Sequence, residues 1–281
     1  MVWLDTMKLD EEFDYTYLSL GAGVQSSALL VLACTDDRVP KPDFAIFADT
    51  GDEPQYVYDY LDILTEYAAK HGVKVVKAQK GRLSDWVREH KTEGKRFASI
   101  PVFTKNNDGS YGMLRRQCTR EFKVEPITQK VRELLGYKPR FRVKERVRCM
   151  IGISLDEAQR MKESRVKWIK NTFPLVDLAM KREHCFKIME DAGLPEPKKS
   201  SCVFCPYHSD TYWQWMKDEE PEEFSKAVEF DGMIRDMRMK GVEQPAYIHQ
   251  SCIPLKDVEF NAGDKNQVDM FNNECEGMCG V

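Results

Sequence analysis

The fold is decided by the stretch Tyr15-Thr16-Tyr17-Leu18-Ser19-Leu20-Gly21-Ala22-Gly23-Val24-Gln25-Ser26-Ser27-Ala28-Leu29-Leu30-Val31-Leu32-Ala33. Its first six residues favour a buried β-strand, and the residues from Ala28 onward favour a helix. The small residues Gly21 to Gly23 predict a tight turn between the two, and Ser26 and Ser27 are expected to cap the helix. A helix that starts beside such a turn presents free backbone N–H groups, which can bind phosphate.

Two further strands follow the opening unit. The sequence predicts a buried strand at Phe44 to Ala48 and a loop at its carboxyl end, from Asp49 to Glu53. It predicts a third strand at Val73 to Val76. Strands that alternate with helices predict parallel pairing and right-handed crossovers. Ligands of such sheets bind at the carboxyl ends of the strands, so the Gly21–Ser27 turn and the Asp49–Glu53 loop are expected to meet at one crevice.

The bulk properties are those of a soluble globular protein. The chain has 281 residues, a formal charge of −4, 42% hydrophobic and 31% charged residues. This length is enough for one large domain, or for one domain plus a smaller lobe. We expect a nucleotide-binding α/β domain over residues 1–180 and a helical, Cys-rich region with a mobile tail over residues 181–281. The acidic N-terminus does not resemble a signal peptide and no apolar run is long enough to span a bilayer, so we expect a cytoplasmic protein.

The nine cysteines indicate metal binding or thiol chemistry. Cys202 and Cys205 form a C-x-x-C knuckle, which supplies two metal ligands. Cys118, Cys185 and His208 are the nearest candidates to complete a ligand set, and a pair of buried free thiols is the alternative. Two more cysteines, Cys275 and Cys279, lie in a polar, Gly-containing tail that is expected to be mobile.

Basic residues concentrate in two places. Around Cys118 lie Arg115, Arg116, Arg120 and Lys123, which suit a phosphate or sulfate and would lower the pKa of the thiol. Residues 138–148 alternate between apolar and basic, which predicts a half-exposed strand with a cationic face. Such a face is either solvated or a surface for anions or nucleic acid, although the near-neutral net charge disfavours nonspecific nucleic-acid binding.

Together these landmarks resemble the phosphoadenosine phosphosulfate (PAPS) reductase family of the adenine nucleotide α-hydrolase-like, or PP-loop, superfamily, in the variant typical of phages and mobile elements. The matching stretches are the PP-loop at Gly21–Ser27, the D-T-G segment at Asp49–Gly51, the Cys-containing basic stretch at Cys118–Ile127, the C-x-x-C at Cys202–Cys205 and the Glu274-Cys275 ending. The chain departs from the family's loop because Gln25 stands where ATP-cleaving relatives keep an aspartate.

The resemblance implies a doubly wound, mostly parallel sheet with a smaller Cys-containing helical C-terminal lobe. It implies a nucleotide site made of Ser19, Gly21, Ala22, Gly23, Gln25, Ser26, Ser27, Asp49, Gly51, Met150, Gly152, Arg115 and Arg116. It implies a [4Fe-4S] cluster or zinc on Cys118, Cys185, Cys202 and Cys205. The catalytic residues it implies are Cys275, as the nucleophile, with Arg120 and Lys123.

Three functions remain open at this point. The first is reduction of a sulfonucleotide, PAPS or adenylyl sulfate (APS), with thioredoxin or another thiol as electron donor. The second is ATP-dependent sulfur transfer to a nucleic acid or small molecule, which the loss of the aspartate at Gln25 disfavours. The third is a nucleotide-binding module without catalysis, with structural zinc on Cys185, Cys202, Cys205 and His208. A homodimer is compatible with each of the three.

Overall fold

The computed structural model of the protein describes residues 12–92, 100–236 and 244–261. The strands of this part, numbered in chain order, are β1 (Tyr15–Leu20), β2 (Phe44–Asp49), β3 (Lys74–Gln79), β4 (Phe103–Lys105), β5 (Tyr111–Met113), β6 (Val147–Ile151), β7 (Ile169–Thr172) and β8 (Ala246–Tyr247). The α-helices are α1 (Val24–Thr35), α2 (Gln55–Lys70), α3 (Leu83–Thr92), α4 (Glu125–Leu134), α5 (Pro174–Asp177), α6 (Arg182–Asp191), α7 (Asp210–Glu219) and α8 (Pro221–Ile234).

A five-stranded sheet of order β3-β2-β1-β6-β7 forms the centre, and all its neighbouring strands are parallel. This confirms the predicted α/β class. The alternation of side chains along β1 places Leu18 and Leu20 in a core with α1, α2 and α6, whereas Tyr17 packs on the opposite face with Ile127 of α4. The sheet is therefore covered by helices on both faces, as a doubly wound fold requires.

A second hydrophobic core lies beyond this sheet. It combines residues of α3, α7 and α8 with the C-x-x-C knuckle and with a small antiparallel sheet of order β5-β4-β8. Residues from both sides of the predicted boundary at 180 build this core, and α6, which follows that boundary, packs on α1 in the first core. The division into residues 1–180 and 181–281 stays a prediction.

One local prediction is corrected by the structure. The basic alternation at 138–148 does not form one strand: only Val147–Ile151 pairs, residues 138–146 are irregular, and Phe141 is 64% exposed. Alternation alone cannot make a strand where no partner accepts its backbone hydrogen bonds. After Ser154 the chain forms a 3₁₀ helix, Leu155–Arg160, and the Ser154 side chain does not cap it. None of the helices in the described part of the chain combines the length and apolar character that a membrane crossing needs.

Candidate functional site

The crevice that the sheet creates lies where its strand order reverses. From β1 the chain proceeds to β2 and β3 on one side, whereas β6 and β7 lie on the other. The carboxyl ends of the three central strands are aligned, since Leu20 pairs in register with Phe47 and Ser19 with Ile151. A switch point of this kind, outside the carboxyl ends of β1 and β6, is where open α/β sheets bind ligands.

The turn between β1 and α1 occupies this crevice. Gly23 is the N-cap of α1 in extended conformation, and no side chain caps the helix among the described residues. Ala22 adopts a left-handed conformation with φ 56°, which a small residue tolerates best. Ser26 and Ser27 lie inside the first turn and are not caps, contrary to the prediction. The Gly21 N–H donates to Ser26 Oγ (3.1 Å), so Ser26 fixes the shape of the turn.

One buried hydroxyl at this end of β1 is orphaned. Ser19 is 2% exposed, and its Oγ has no hydrogen-bond partner among the residues that the structure describes. Ser19 is two residues after Tyr17, so its side chain lies on the α4 face of the sheet. A buried polar atom without a partner costs free energy, which a ligand accepting or donating a hydrogen bond there would recover.

The strand end at β6 forms the wall of the crevice. A Cβ on Gly152 would lie 2.6 Å from the Ser26 backbone nitrogen, so only glycine allows this close approach to α1. Gln25 is fully buried; its Nε2 donates to Ser154 Oγ (3.5 Å), and its Oε1 accepts from Arg182 (3.1 Å). Met150, predicted to belong to the nucleotide site, is 0% exposed in the core with α1. Met150 and Gly152 therefore serve packing in this structure.

The loop after β2 supplies acidic groups to the same edge. Asp49 Oδ1 accepts from the Gly51 N–H (2.8 Å) and from the Tyr58 hydroxyl (2.8 Å). Gly51 has φ 76°, and a Cβ there would lie 3.0 Å from Arg82, so glycine is required at this position. Burial, and after it the hydrogen bond to the Asp49 carboxylate, holds the pKa of Tyr58 well above its usual value, so Tyr58 acts as a hydrogen-bond donor. Asp49 thereby stiffens the loop.

A buried ion pair follows in the same loop. Lys123 Nζ lies 3.3 Å from Glu53 Oε1, and the two side chains are 7% and 1% exposed. Burial raises the pKa of Glu53 in spite of Lys123, because the charged carboxylate loses its hydration. Lys123 was predicted to hold a sulfate, but its ammonium is instead committed to Glu53. Glu53 was not predicted to be a site residue, and its sequence signal is its place at the end of the Asp49–Glu53 loop.

The C-x-x-C knuckle contacts this loop directly. Cys202 Sγ lies 3.2 Å from Thr50 Oγ1 and 4.0 Å from Glu53 Oε1, and the Val203 N–H donates to the Asp52 carbonyl (2.8 Å). Burial and the Glu53 carboxylate raise the pKa of Cys202 well above its usual value, so this sulfur is a thiol at neutral pH. The knuckle thus contacts the loop at the carboxyl edge of the sheet, where the ligand site is expected.

The predicted metal ligands do not assemble. Cys185 lies on α6 in the core shared with α1, whereas Cys118 and Cys202 pack on the other core. The described residues contain no group of three or more Cys, His, Asp or Glu side chains that could hold a metal ion. Neither the set Cys118, Cys185, Cys202 and Cys205 nor the set with His208 is therefore brought together. Burial and nearby Lys199 lower the pKa of His208 well below its usual value, and its Nε2–H donates to the Cys202 carbonyl (3.0 Å).

The basic residues around Cys118 do not converge on one site in the structure. The residues Thr119–Val124 form a π-helix that continues into α4, in which Lys123 is buried and Arg120 is exposed. Arg116 donates to Thr119 Oγ1 (2.8 Å) and stacks over the Tyr207 ring (5.3 Å). Arg120 pairs with Glu125 (3.1 Å) and lines a cavity of about 750 Å³ beside α4. Arg115 is exposed. The predicted nucleophile Cys275 and its neighbour Cys279 lie outside the described residues.

Comparison with known proteins yields similarity to solved structures alone. No protein-family model matches the chain. No curated protein matches it either. A phosphoadenylyl-sulfate (PAPS) reductase from Candida auris, in a phosphate complex, is 15% identical over 68% of this chain and 81% of its own, with a TM-score of 0.41. The U34-tRNA thiolase NcsA from Methanococcus maripaludis, with its [4Fe-4S] cluster, is 13% identical over 94% of this chain and 83% of its own, with a TM-score of 0.41.

Proposed function

We propose that the chain binds an adenine nucleotide at the carboxyl edge of the five-stranded sheet, with the phosphates at the Gly21–Ser27 turn. The observation that carries this proposal is the Gly23 N-cap of α1 at the topological switch point, where no described side chain caps the helix. Free N–H groups and the positive end of the helix dipole favour an anion there. The orphaned Ser19 Oγ supports a ligand at the same edge.

We further propose that the nucleotide is a sulfonucleotide, PAPS or APS, and that the reaction is its reduction. The thiolate of Cys275 attacks the sulfur, so that an S–S bond forms, the S–O bond to the phosphate breaks and the nucleoside phosphate leaves with the electron pair. A second thiol, Cys279 or that of a thioredoxin, then attacks the Cys275 sulfur, forms a disulfide and releases sulfite. Among the described residues, we propose exposed Arg115 and Arg120 as cations for the sulfate, and Arg120 would then exchange its partner Glu125 for this anion.

Two observations bear on which cysteine reacts and on whether ATP is cleaved. The raised pKa of Cys202 keeps it protonated, which disfavours Cys202 as the attacking thiolate. Gln25 is an amide held by Ser154 and Arg182, so its position offers no carboxylate ligand for the magnesium of an ATP-cleaving site. ATP-dependent sulfur transfer is therefore the second candidate function. For the hypotheses that need a metal centre, the described residues contain no assembled set of ligands.

The binding proposal is tested by calorimetric titration of the purified protein with PAPS, APS and ATP. Gly23→Leu places a bulky side chain where the phosphate must approach and should abolish binding. The backbone of Gly23 has φ −94°, which any residue can adopt, so the substitution should not strain the turn. Gly232→Leu is the matched control, because Gly232 lies in α8 with nothing within 4 Å of an added Cβ. Equal affinity of parent and a folded Gly23→Leu variant would contradict the site. Sulfite release from PAPS or APS with thioredoxin tests the reaction separately.

A further inference from the structure

A second cluster of reactive side chains lies outside the carboxyl edge of the sheet. Ser251, His249 and Asp210 form one continuous chain of hydrogen bonds: Ser251 Oγ lies 2.8 Å from His249 Nδ1, and His249 Nε2 lies 3.0 Å from Asp210 Oδ1. We propose that these three residues form an acyl-hydrolase site, with Ser251 as nucleophile, that acts on esters carrying a cationic group. This site is independent of the proposed nucleotide function.

The direction of the hydrogen bonds fits a serine activated by a general base. The Ser251 backbone N–H donates to His249 Nδ1 (3.2 Å), which requires Nδ1 to carry a lone pair. The proton of the neutral imidazole therefore resides on Nε2 and is donated to the Asp210 carboxylate. Nδ1 is then the acceptor for the Ser251 hydroxyl, and Asp210 holds the ring in the required tautomer.

The surrounding structure holds this arrangement in place. His249 and Asp210 are 4% and 3% exposed, whereas Ser251 is only half-buried. Asp210 is the first residue of α7, and its other oxygen accepts from the Asn261 N–H (3.0 Å). The turn that carries Ser251 is closed by the Cys252 N–H, which donates to the His249 carbonyl (3.1 Å), with Cys252 at φ 51°. The base and its orienting residue are thus shielded from water while the hydroxyl stays accessible.

An open cavity adjoins the serine. It has a volume of about 440 Å³, and Ser251, His249 and Asp210 all line it. Asp257 and Glu259 line the same cavity, and none of the described residues that line it is Lys or Arg. A cavity of this size accepts a small molecule, and its carboxylate side chains attract a cation and repel an anion. The chemical class that fits is therefore a small ester with an ammonium or guanidinium group.

The proposed reaction needs only the ester and water. Ser251 Oγ forms a bond to the acyl carbon while its proton passes to His249 Nδ1, and Asp210 stabilises the imidazolium. The C–O bond to the alcohol then breaks, and the alcohol leaves with the proton from Nδ1. Water repeats the two steps against the acyl-serine, which releases the carboxylic acid and restores the hydroxyl.

The test uses the full-length purified protein and two 4-nitrophenyl esters of similar size, one bearing a trimethylammonium group and one a carboxylate. We expect a burst of one nitrophenolate per chain with the cationic ester and a much slower reaction with the anionic one. A fluorophosphonate probe should label Ser251, as located by peptide mass spectrometry. Asp210→Asn no longer fixes the tautomer of His249 and should lower the burst rate by about 10⁴-fold, the size seen when the orienting carboxylate of a Ser-His-Asp triad becomes an amide.

The controls separate a catalytic role from a structural one. Ser251→Ala should lose burst and label, whereas Ser110→Ala, at an exposed hairpin turn, should keep both. Ser251→Cys retains a nucleophile and should still be acylated, which guards against a folding defect in the alanine variant. If the three hydrogen-bonded residues only hold residues 246–261 on α7, the probe should not label Ser251, or it should label the parent and Ser251→Ala equally. Either result overturns the proposal, whatever the outcome of nucleotide binding.

Discussion

Lys123 and Glu53 are 70 residues apart in the chain and form a buried ion pair beneath the carboxyl edge of the sheet, with Nζ 3.3 Å from Oε1. The pair joins the π-helix before α4 to the loop after β2. Cys202 lies against the same carboxylate, so one buried charge pair connects three segments of the site. Its energetics can be tested in several ways.

Removing one partner of this pair should destabilise the protein strongly. Lys123→Met leaves the Glu53 carboxylate buried without a countercharge, which typically costs about 3–5 kcal/mol of unfolding free energy. The double variant Lys123→Met/Glu53→Leu removes both charges and should recover most of this loss. Urea denaturation provides the measurement. Arg88→Met, which breaks an exposed pair with Asp85, should cost about 0–1 kcal/mol; a similar cost for Lys123→Met would contradict the buried pair.

The raised pKa of Glu53 predicts a specific pH dependence. The carboxyl ionises more readily in the unfolded chain, near its ordinary value of 4.5, than in the folded protein. Its contribution to stability is therefore complete below pH 4.5 and is lost as pH rises through the folded-state pKa. Relative to Glu53→Gln, the parent should lose unfolding free energy over that interval, by at most about 1.4 kcal/mol per pH unit. A constant difference between the two proteins from pH 4 to 8 would exclude this linkage.

The reactivity of Cys202 should depend on Glu53. Burial is the main cause of its raised pKa and the Glu53 carboxylate is the next, so Glu53→Gln should lower that pKa and speed alkylation at neutral pH. Iodoacetamide labelling followed by peptide mass spectrometry measures each cysteine separately. Cys34 is the internal control, because its raised pKa comes from burial and has no contribution from Glu53. Equal acceleration at both cysteines would indicate general loosening of the fold.

Gly152 should be intolerant of a side chain. The added Cβ of Gly152→Ala would lie 2.6 Å from the Ser26 nitrogen and 2.7 Å from its Cα, and both are backbone atoms that cannot rotate away. We expect a loss of about 1–3 kcal/mol, as for other overpacked sites, together with displacement of the α1 N-terminus and weaker nucleotide binding. Gly232→Ala, in open space within α8, should leave stability equal or higher. Thermal denaturation of both variants measures their stability, and calorimetric titration measures their nucleotide affinity.

The tail provides the functional prediction. If Cys275 is the nucleophile, Cys275→Ser should abolish sulfite release from PAPS or APS and leave nucleotide affinity unchanged, because a serine hydroxyl is a far weaker nucleophile than a thiolate. Cys279→Ser should slow only the release of sulfite from the S-sulfo intermediate. Single-turnover kinetics with mass detection of the adduct distinguish the two steps. Turnover of Cys275→Ser at the parent rate would show that Cys275 is not the nucleophile.

The sequence alone determined the features that are encoded locally. The strand–turn–helix at residues 15–33 and the strand after Asp43 follow from residue type and spacing, because burial periodicity and the demand for small residues in a tight turn act over a few positions. Parallel pairing followed from the alternation of strands and helices, which leaves few topologies. The convergence of the Gly21–Ser27 turn and Asp49 on one edge was predictable for the same reason.

The tertiary structure decided everything that depends on contacts between distant residues. It paired Lys123 with Glu53, placed Gln25 between Ser154 and Arg182, and put Cys185 in a different core from Cys202. A sequence shows which side chains are basic or carry a thiol. Which group each of them contacts is decided by packing between segments that are distant in the chain. Burial also sets the pKa values of Glu53 and Cys202, since desolvation exists only once the chain has closed around them.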